Sequence, residues 1–168
     1  MPSYFKIPIG EGKHALVDAC DYELASEYSW HLGGTDRKYV AGTVNGSTGY
    51  LHRVVMGAGP DDIVDHRDGN PLNCRRDNLR MATHSQNGAN RSFHRNQNGY
   101  RGVAHYPKRN KYQGRIRHEG GIYRGPYRDS AVQAATDYDA LARGLFGEFA
   151  SFNFPRQGER HCKPAGGA

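Results

Sequence analysis

Short stretches of alternating hydrophobic and polar residues in the first part of the chain predict strands separated by turns. YFKIPI, HALVD and KYVAGTV have this pattern, and GYLHRVVM (49–56) is predicted to be a buried strand. DYELASEYSW has apolar residues at helical spacing instead, so we expect a short helix there, capped by Asp18 or Asp21. IVDH (63–66) predicts a further short strand after the turn at AGPDD.

A polar loop, DGNPLNCRRDN (68–78), is followed by the first of two capping boxes. Thr83 and Gln86 have the S/T-x-x-Q spacing at which each side chain accepts a hydrogen bond from the other residue's backbone N–H. A helix is therefore expected to begin near Thr83. The polar and basic segment RSFHRNQNG (91–99) is predicted to be a linker.

The unit expected after this linker combines strands with one helix. Ser130 and Gln133 form a second capping box, which opens an alanine-rich run of helical periodicity. This helix should end at Gly144 or Gly147, and residues 156–168 are predicted to be a disordered tail. Three strands joined by hairpin turns are predicted before the helix, at GYRGVAHY (99–106), KYQGRIRH (111–118) and GIYRGPY (121–127).

Charge is distributed unevenly along the chain, whose formal net charge is +6. Residues 1–66 carry 5 basic and 9 acidic side chains, a net charge of −4. Residues 75–128 carry 13 basic and 2 acidic side chains, a net charge of +11. A basic block of this density repels itself unless it meets a polyanion. Arginines interleaved with tyrosines suit phosphates and bases, so a nucleic-acid partner is predicted. The alternative is a solvated basic face that serves solubility.

Composition excludes several other classes of protein. The mean hydropathy is −0.85, and no run approaches the ~18 apolar residues of a membrane-spanning helix. The three cysteines, Cys20, Cys74 and Cys162, form no CxxC pair, which argues against a disulfide framework or a zinc knuckle. The N-terminus lacks the pattern of a secretory signal, so we expect a cytoplasmic protein, associated with the nucleoid of a bacterial host.

VDHRDGNPLNCRRDNLRMATHSQNGAN holds the densest group of candidate catalytic residues. Asp65 and His66 end a predicted strand, Asn78 lies twelve residues after His66, and Asn87 lies nine residues after Asn78. Carboxylate and amide oxygens are hard ligands that suit Mg²⁺ and leave coordination positions for water and a phosphate oxygen. An imidazole suits a general base near neutral pH. The segment predicts metal-dependent phosphate chemistry on one strand–loop–helix unit.

This segment resembles the HNH endonucleases, and most of all the H-N-N variant found in bacteriophage and intron-encoded homing endonucleases. The matching pieces are LHRVVM, VDHRDGNPLN, DNLRMATHSQN and the early DYELASEYSW, and together they cover roughly residues 4–92. The resemblance implies a ββα-metal (His-Me finger) active site in which Asp65 and Asn87 bind the divalent metal and His66 activates water. Asn78 would hold the loop against the histidine strand. Asn87 stands where the standard pattern has His, which favours Mg²⁺ or Mn²⁺ over Zn²⁺.

Further residues near this motif are candidates for the site or for other positions in the fold. Arg80 could contact the scissile phosphate. His52, on the predicted preceding strand, either faces the site or is a packed core histidine, and the sequence does not decide between the two. His84 falls in the first helical turn and is assigned to the surface, and Cys74 has no assigned role.

Residues 98–155 resemble the DNA-binding domain of plant ethylene-response (APETALA-type) factors, which also occurs in phage HNH endonucleases. The resemblance implies a three-stranded antiparallel sheet that lies in the major groove, with a helix packed behind it. Ala104, Tyr106 and Tyr112 depart from the usual Arg, Arg and Trp, so the plant recognition sequence should not carry over. The matching pieces are YRGV (100–103), GRIR (114–117), AAxxYDxxAxxxxG (134–147) and NFP (153–155).

Strand alternation independently predicts a basic sheet face. Gln113, Arg115 and Arg117 should share one face of the middle strand, with Gly114 and Ile116 on the other. The arginine face would meet DNA, and the isoleucine face would meet the helix. Carried over by position, the expected DNA contacts are Arg101, Tyr112, Arg115, Arg117 and Arg124.

Together these patterns predict an α+β protein with two modules. A ββα-metal nuclease module with flanking strands is expected over residues 1–95, and a DNA-binding sheet packed on one helix over 96–155. The expected function is metal-dependent, homing-type hydrolysis of duplex DNA, which nicks one strand, by a monomer or weak dimer. The alternatives are a DNA-binding regulator with an idle nuclease site and an RNA-acting nuclease. Outward arginines favour duplex DNA because A-form RNA lacks a wide major groove.

Overall fold

The computed structural model of the protein describes residues 3–35, 38–91 and 98–162. Within them the chain divides into two compact units, unit 1 (Met1–Ala82) and unit 2 (Thr83–Ala168). The division comes earlier than the expected boundary after residue 95. The helix that follows Ala82 therefore belongs to unit 2.

Two sequence predictions fall partly outside the described residues. These are the linker, of which residues 92–97 are not described, and the tail, of which residues 163–168 are not described.

Unit 1 is built from small antiparallel sheets and short helices. Its elements are β1 (Tyr4–Pro8), β2 (His14–Asp18), α1 (Tyr22–Ser26), β3 (Trp30–Gly33), β4 (Tyr39–Val44), β5 (Ser47–Tyr50), α2 (Leu51–Met56), β6 (Ile63–His66) and β7 (Leu79–Ala82). β1 pairs with β2 and β6 with β7, while β3, β4 and β5 form a three-stranded sheet. The short strands and frequent turns agree with the alternation in the sequence.

One buried hydrophobic cluster joins the elements of unit 1. It includes Val17 of β2, Val40 of β4, Leu51 of α2 and Val64 of β6. Cys74, from the loop between β6 and β7, is fully buried in the same cluster. Burial raises the pKa of its thiol to about 12, so Cys74 stays neutral and packs as a small apolar residue.

The strand predicted at 49–56 is wrong, because residues 51–56 form the helix α2. Leu51, His52 and Val55 are buried at a spacing that also suits one helix face. Gly57 ends the helix in the left-handed conformation, with φ of 59°, and its N–H bonds to carbonyls of the last turn. The adjacent valines favour a strand locally, and tertiary packing overrides that preference.

The short helix expected around Tyr22 is present as α1, but neither candidate aspartate caps it through its side chain. Asp18 instead pairs with Arg75, with Nε and Oδ1 2.9 Å apart. Asp21 accepts two hydrogen bonds from Arg76, at 2.8 and 2.7 Å. The two carboxylates therefore tie the N-terminal segment to the loop between β6 and β7.

Unit 2 begins with a short helix and continues with a sheet that packs on a longer one. Its elements are α3 (His84–Asn90), β8 (Val103–Tyr106), β9 (Lys111–His118), β10 (Gly121–Arg128), α4 (Ala131–Phe146), β11 (Ser151–Phe152) and β12 (Arg160–His161). The sheet has the order β10-β9-β8 and is antiparallel, and β11 pairs in parallel with β12. In the part of the chain that the structure describes, no helix has the length and apolar character needed to cross a membrane.

Both predicted helix starts are confirmed. Thr83 Oγ1 accepts from the Gln86 N–H at 3.2 Å, and Gln86 Oε1 accepts from the Thr83 N–H at 2.8 Å, which completes a capping box at α3. Ser130 Oγ accepts from the Gln133 N–H at 3.3 Å at the start of α4. Gly147, one of the two glycines expected to end this helix, is its C-terminal cap.

Two glycines let the chain pass close to α4. A Cβ at Gly114 of β9 would lie 2.4 Å from the Ala134 carbonyl oxygen, and one at Gly102 would lie 2.0 Å from the Tyr138 ring. Ile116 packs with Tyr138 in a buried cluster, so the isoleucine face of β9 meets the helix as predicted.

The predicted disordered tail is wrong for the residues up to Cys162. Arg143 of α4 forms two hydrogen bonds to Glu159, at 2.8 and 2.7 Å, and holds the pKa of that carboxyl at about 2. Cys162 is buried, and its N–H donates to the Phe152 carbonyl at 2.8 Å. Polar composition favoured disorder here, but the segment gains order from this ion pair and from the pairing of β12 with β11.

Candidate active site

The β6–β7 hairpin positions Asp65 and His66 at the centre of the candidate site. Both residues end β6, and both are 5% exposed. Successive side chains of a strand point to opposite faces, so the carboxylate and the imidazole leave the strand in different directions. The antiparallel register sets Arg80 of β7 opposite Asp65 and Leu79 opposite His66.

Arg80 binds Asp65 through a buried ion pair. Its Nε and Nη2 lie 2.9 and 2.8 Å from Asp65 Oδ2, and the Arg80 side chain is 8% exposed. A buried carboxylate is costly unless it is paired and hydrogen-bonded. Arg80 therefore fixes the direction of the Asp65 carboxylate and offsets its charge.

His66 lies against a group of rings that we call the imidazole cluster (Tyr39, Tyr50, His52 and His66). The rings of His52 and His66 meet edge to face, with centroids 4.9 Å apart. Tyr39 lies 5.6 Å from the His52 ring and 6.3 Å from the His66 ring, and Tyr50 stacks on His52 at 5.8 Å. β4, β5, α2 and β6 thus each contribute one side chain to this cluster.

Burial keeps both imidazoles of the cluster neutral. The pKa of His52 is lowered to about 3, mainly by burial and in the same direction by the neighbouring His66 and Arg53. Burial also lowers the pKa of His66, against the opposing effect of Asp68 and Asp65. Among the described residues, none forms a hydrogen bond with Nδ1 of His52. At neutral pH both rings are proton acceptors.

Asn78 closes the loop between β6 and β7. Its Oδ1 accepts from the Asp68 N–H at 3.0 Å, and its Nδ2 donates to Asp68 Oδ1 at 2.9 Å and to the Asn73 carbonyl at 2.8 Å. Its backbone carbonyl accepts from the Arg67 N–H at 2.8 Å, directly after His66. The Asn78 amide therefore holds the loop against the end of the histidine strand.

Backbone hydrogen bonds fix the same loop on β2. The Leu16 N–H donates to the Leu72 carbonyl at 2.8 Å, and the Cys74 N–H donates to the Leu16 carbonyl at 2.9 Å. Together with the ion pairs of Asp18 and Asp21, these bonds give a long polar loop a defined path.

The same stretch of chain matches a known protein family. The model of the HNH endonuclease family matches residues 50–89, which contain α2, β6, β7 and most of α3. An HNH endonuclease of Acanthamoeba polyphaga mimivirus is 35% identical over 152 residues, which cover 86% of this chain and 76% of the relative. This chain belongs to the HNH endonuclease family.

A second relative of this HNH endonuclease comes from a bacteriophage. Protein 3.8 of Escherichia phage T7 is 36% identical over 90 residues, which cover 53% of the chain and 74% of the relative. No solved structure matches the chain.

In this HNH endonuclease, unit 1 brings together most of the residues that the sequence indicated for catalysis. Asp65, His66, Asn78 and Arg80 surround the end of the β6–β7 hairpin. His52 reaches the site from α2 rather than from a strand, and it contacts His66 directly. Arg80 is bound to Asp65, so its expected contact with the scissile phosphate remains a prediction.

The donor groups of the site suit a hard divalent cation, the kind of cofactor that HNH endonucleases generally use. Asp65 offers a carboxylate held in a fixed direction by Arg80. In the described ranges, no group of three or more His, Cys, Asp and Glu side chains is arranged to hold a metal. The expected ligand pair, Asp65 and Asn87, does not require such a group, because Mg²⁺ keeps several waters and takes phosphate oxygens.

Asn87 lies in the middle of α3, in unit 2. Its N–H donates to the Thr83 carbonyl at 2.9 Å, within the first turn of the helix. β6, β7 and α3 follow one another along the chain in the ββα order that the motif implies. The pairing of Asn87 with Asp65 at one ion remains a prediction.

Three of the five expected DNA contacts lie on one open face of the unit 2 sheet. Arg115 and Arg124 are directly opposite each other in the β9–β10 register, and Arg117 is two residues along the same face. All three are exposed. Tyr127 is on this face opposite Gln113, and the Arg109 guanidinium lies 5.0 Å from its ring centroid. We call Arg115, Arg117, Arg124 and Tyr127 the arginine face.

The structure gives the other two expected contacts different surroundings. Arg101 directs its guanidinium inward, with Nε 2.8 Å from the Tyr138 hydroxyl and Nη1 2.8 Å from Ser151 Oγ. Tyr112 is on the helix-facing side of β9, where it stacks on His105 with centroids 4.6 Å apart. Alternation explains Tyr112, because even-numbered residues of β9 face α4.

Several residues at the site carried no clear signal in the sequence. Asp68 accepts from the Asn70 N–H at 2.7 Å and from Asn73 Nδ2 at 2.9 Å, besides its bonds with Asn78. The D-G-N-P turn composition could have indicated such a role. Tyr39 and Tyr50 reach His52 from β4 and β5, and no local sequence pattern predicts that they lie at the site.

Proposed function

We propose that this HNH endonuclease hydrolyses phosphodiester bonds in duplex DNA with a divalent metal, as a homing-type enzyme that nicks one strand. The observation that carries the proposal is the pair Asp65–His66 at the end of β6. The pair combines a carboxylate oriented by Arg80 with a buried, neutral imidazole. Both are what metal-assisted hydrolysis of a phosphodiester needs.

His66 would act as the general base. Its pKa is lowered by burial, so the ring is unprotonated at neutral pH and can accept a proton from water at a ring nitrogen. His52 and Tyr39 pack against the ring and restrict its orientation. Asn78 and Asp68 hold the backbone just after His66, so the imidazole is presented from a fixed strand end.

Asp65 and Asn87 would hold the cation. Hard oxygen ligands favour Mg²⁺, with Mn²⁺ as a substitute. The chemistry that such a cation supplies when bound is polarisation of the scissile phosphate and stabilisation of the leaving 3′ oxygen.

The arginine face would bind the duplex. Arg115, Arg117 and Arg124 project from an open sheet surface with no carboxylate directly opposite them in the strand register. A wide major groove accepts such a surface, and arginine can contact phosphates or guanine edges. The resemblance of this segment to ethylene-response-factor domains supports the same use. Tethering this face to the nuclease raises the local concentration of target DNA at the catalyst.

A chain with one such site acts on one strand at a time, so a monomer or weak dimer should release nicked circles first. Cleavage of both strands would need a second event or a second copy. A regulator with an idle site and an RNA-acting nuclease predict different results in the same assay.

The test is conversion of supercoiled plasmid with Mg²⁺, Mn²⁺ or EDTA, using wild type, His66→Ala and His14→Ala. His14 is exposed on β2 and has no part in the site, so it is the matched histidine control. We expect metal-dependent open circles from wild type and His14→Ala. His66→Ala should be at least ~100-fold slower, because a general base contributes about 10²–10⁴-fold.

Equal rates for His66→Ala and wild type would exclude His66 as the base. No conversion with any metal, together with tight duplex binding, would support the regulator. Stronger competition by an RNA duplex than by a DNA duplex of the same sequence would support the RNA-acting nuclease.

A further inference from the structure

The helix α3, which carries Asn87, depends on other parts of unit 2 for its stability. It has seven residues, His84–Asn90, and isolated helices of that length are unstable in water. Its capping box serves the N-terminal N–H groups. The carbonyls of the last turn have no partners in the regular helical pattern and need other donors. One of them, the Gly88 carbonyl, accepts a weak bond from the Arg91 N–H at 3.4 Å.

Three side chains of unit 2 supply those donors, and we call them the α3 clamp (Arg101, Ser151 and Arg160). Arg101 Nη2 donates to the Gly88 carbonyl at 2.9 Å. Ser151 Oγ donates to the Ala89 carbonyl at 3.1 Å. Arg160 Nη1 donates to the Asn90 carbonyl at 2.6 Å. Arg101 also donates to the carbonyl of Arg91, the residue that follows the helix.

Arg101 is itself held rigidly. Its guanidinium donates to the Tyr138 hydroxyl and to Ser151 Oγ, both at 2.8 Å. Its backbone N–H donates to Asn153 Oδ1 at 2.8 Å, and its carbonyl accepts from Asn153 Nδ2 at 3.1 Å. Tyr138, Ser151 and Asn153 are all buried. Because these buried residues fix the planar guanidinium, Arg101 holds the end of α3 at a defined position in unit 2.

The same residue adjoins the arginine face. The Arg115 N–H donates to the carbonyl of Gly102, the next residue after Arg101, at 2.8 Å. The Tyr138 ring lies directly against Gly102, since a Cβ there would come within 2.0 Å of it. One continuous set of contacts therefore runs from β9, through Gly102 and Arg101, to α3.

We propose that Arg101 is a positioning residue of the nuclease, which holds α3 so that Asn87 presents its amide oxygen to the divalent cation. This inference rests on the proposed function, in which Asn87 is a metal ligand. It replaces the expectation that Arg101 contacts DNA. Partners that orient a metal ligand typically contribute 10–100-fold to metal affinity, although they never touch the ion.

The test compares full-length Arg101→Ala and Arg101→Lys with Arg156→Ala, which removes the charge of an exposed arginine of unit 2. Three quantities are measured: Mn²⁺ affinity by calorimetry, duplex affinity in EDTA, and hydrogen exchange of the α3 amides. For Arg101→Ala we expect at least tenfold weaker Mn²⁺ binding and at least tenfold faster α3 exchange. Duplex affinity should stay within about twofold, and Arg156→Ala should match wild type in Mn²⁺ binding and exchange.

Arg101→Lys keeps the positive charge but places all its donors on one nitrogen, which cannot reach several carbonyls at once, so an intermediate effect on exchange and metal affinity is expected. If Arg101→Ala does not fold, Tyr138→Phe removes a single hydrogen bond of Arg101 and takes its place. Loss of duplex affinity with unchanged metal binding would overturn the proposal and restore Arg101 as a DNA contact. Unchanged exchange of α3 would also overturn it.

These readouts separate the inference from the proposed function. Exchange of α3 does not depend on nuclease activity or on Asn87. If wild type is inactive and α3 exchanges faster in Arg101→Ala, the proposed function is rejected and the role of the α3 clamp is retained. If wild type is active and α3 exchange is unchanged in Arg101→Ala, the proposed function is retained and the role of Arg101 is rejected.

Discussion

Arg80 donates Nε to Asp65 Oδ2 at 2.9 Å, and its Nη2 lies 2.8 Å from the same oxygen, from the position directly opposite on the β6–β7 hairpin. Asp18 and Asp21, which also pair with arginines, join segments far apart in the sequence. This pair lies within the hairpin of the site. It therefore links the stability of the nuclease unit to the orientation of a candidate metal ligand.

Arg80→Ala should destabilise the protein strongly. It leaves a buried carboxylate without its guanidinium, and breaking a buried pair from one side costs about 3–5 kcal/mol. Urea unfolding measures the change. Met81→Ala, at an exposed position on the same strand, should stay within about 0.5 kcal/mol. A loss below about 1 kcal/mol for Arg80→Ala would show that Asp65 is well solvated without its partner.

The imidazole cluster should make stability depend on pH. The folded-state pKa of His52 is about 3, below its ordinary value of 6.5, so the unfolded chain binds a proton first as pH falls. Stability is therefore full above pH 6.5 and declines as pH falls between 6.5 and 3, by up to ~1.4 kcal/mol per pH unit. His52→Gln should flatten this slope in urea unfolding from pH 4 to 7. The exposed His14→Gln is the control, and parallel curves for His52→Gln and wild type would contradict a buried, neutral His52.

Asn78→Ala should impair catalysis more than metal binding. It removes three side-chain hydrogen bonds that hold the loop behind His66, and none that involves Asp65. We expect kcat to fall at least tenfold while Mn²⁺ affinity stays within about threefold. Asp65→Ala should lose metal binding, and Asn70→Ala, in the same loop, should have a milder effect on kcat. Metal binding lost as severely in Asn78→Ala as in Asp65→Ala would show that Asn78 does more than hold the loop.

The double variant Arg115→Ala, Arg117→Ala should bind duplex DNA more weakly and with a smaller dependence on salt. Each phosphate contact contributes about 0.9 to the slope of log K against log salt, so the slope should fall by about 2 if both arginines contact phosphates. Lys6→Ala with Lys13→Ala removes the same charge from exposed positions of unit 1. An unchanged slope for the arginine variant would exclude the arginine face as the docking surface.

Local sequence patterns were sufficient for part of the site. Asp65, His66 and Asn78 lie in one short segment that was predicted as a strand followed by a polar loop, and the caps Thr83 and Ser130 fix helix starts through contacts three residues apart. The helix α2 was not predicted, because Val54 and Val55 favour a strand and only packing of its buried face decides otherwise.

Long-range contacts account for the rest. Tyr39 and Tyr50 reach His52 across the fold, and Asp18 finds Arg75 rather than its own helix. Arg101 was expected to contact DNA because of its position in the resemblance to ethylene-response-factor domains. Its inward direction depends on Tyr138 and Ser151, which are distant in sequence.

The attachment of the loop between β6 and β7 to β2 limits how far this nuclease can be truncated. Residues 50–89, which match the family, lack the partners of Leu72, Cys74 and Arg75, and also Val17 and Val40 of the shared core. A transplanted segment of that length would expose a hydrophobic face and leave its loop without an anchor. The smallest segment that can be transferred to another protein as a nuclease therefore includes the N-terminal strands. Gene fusions that join a new DNA-binding domain should keep these strands intact.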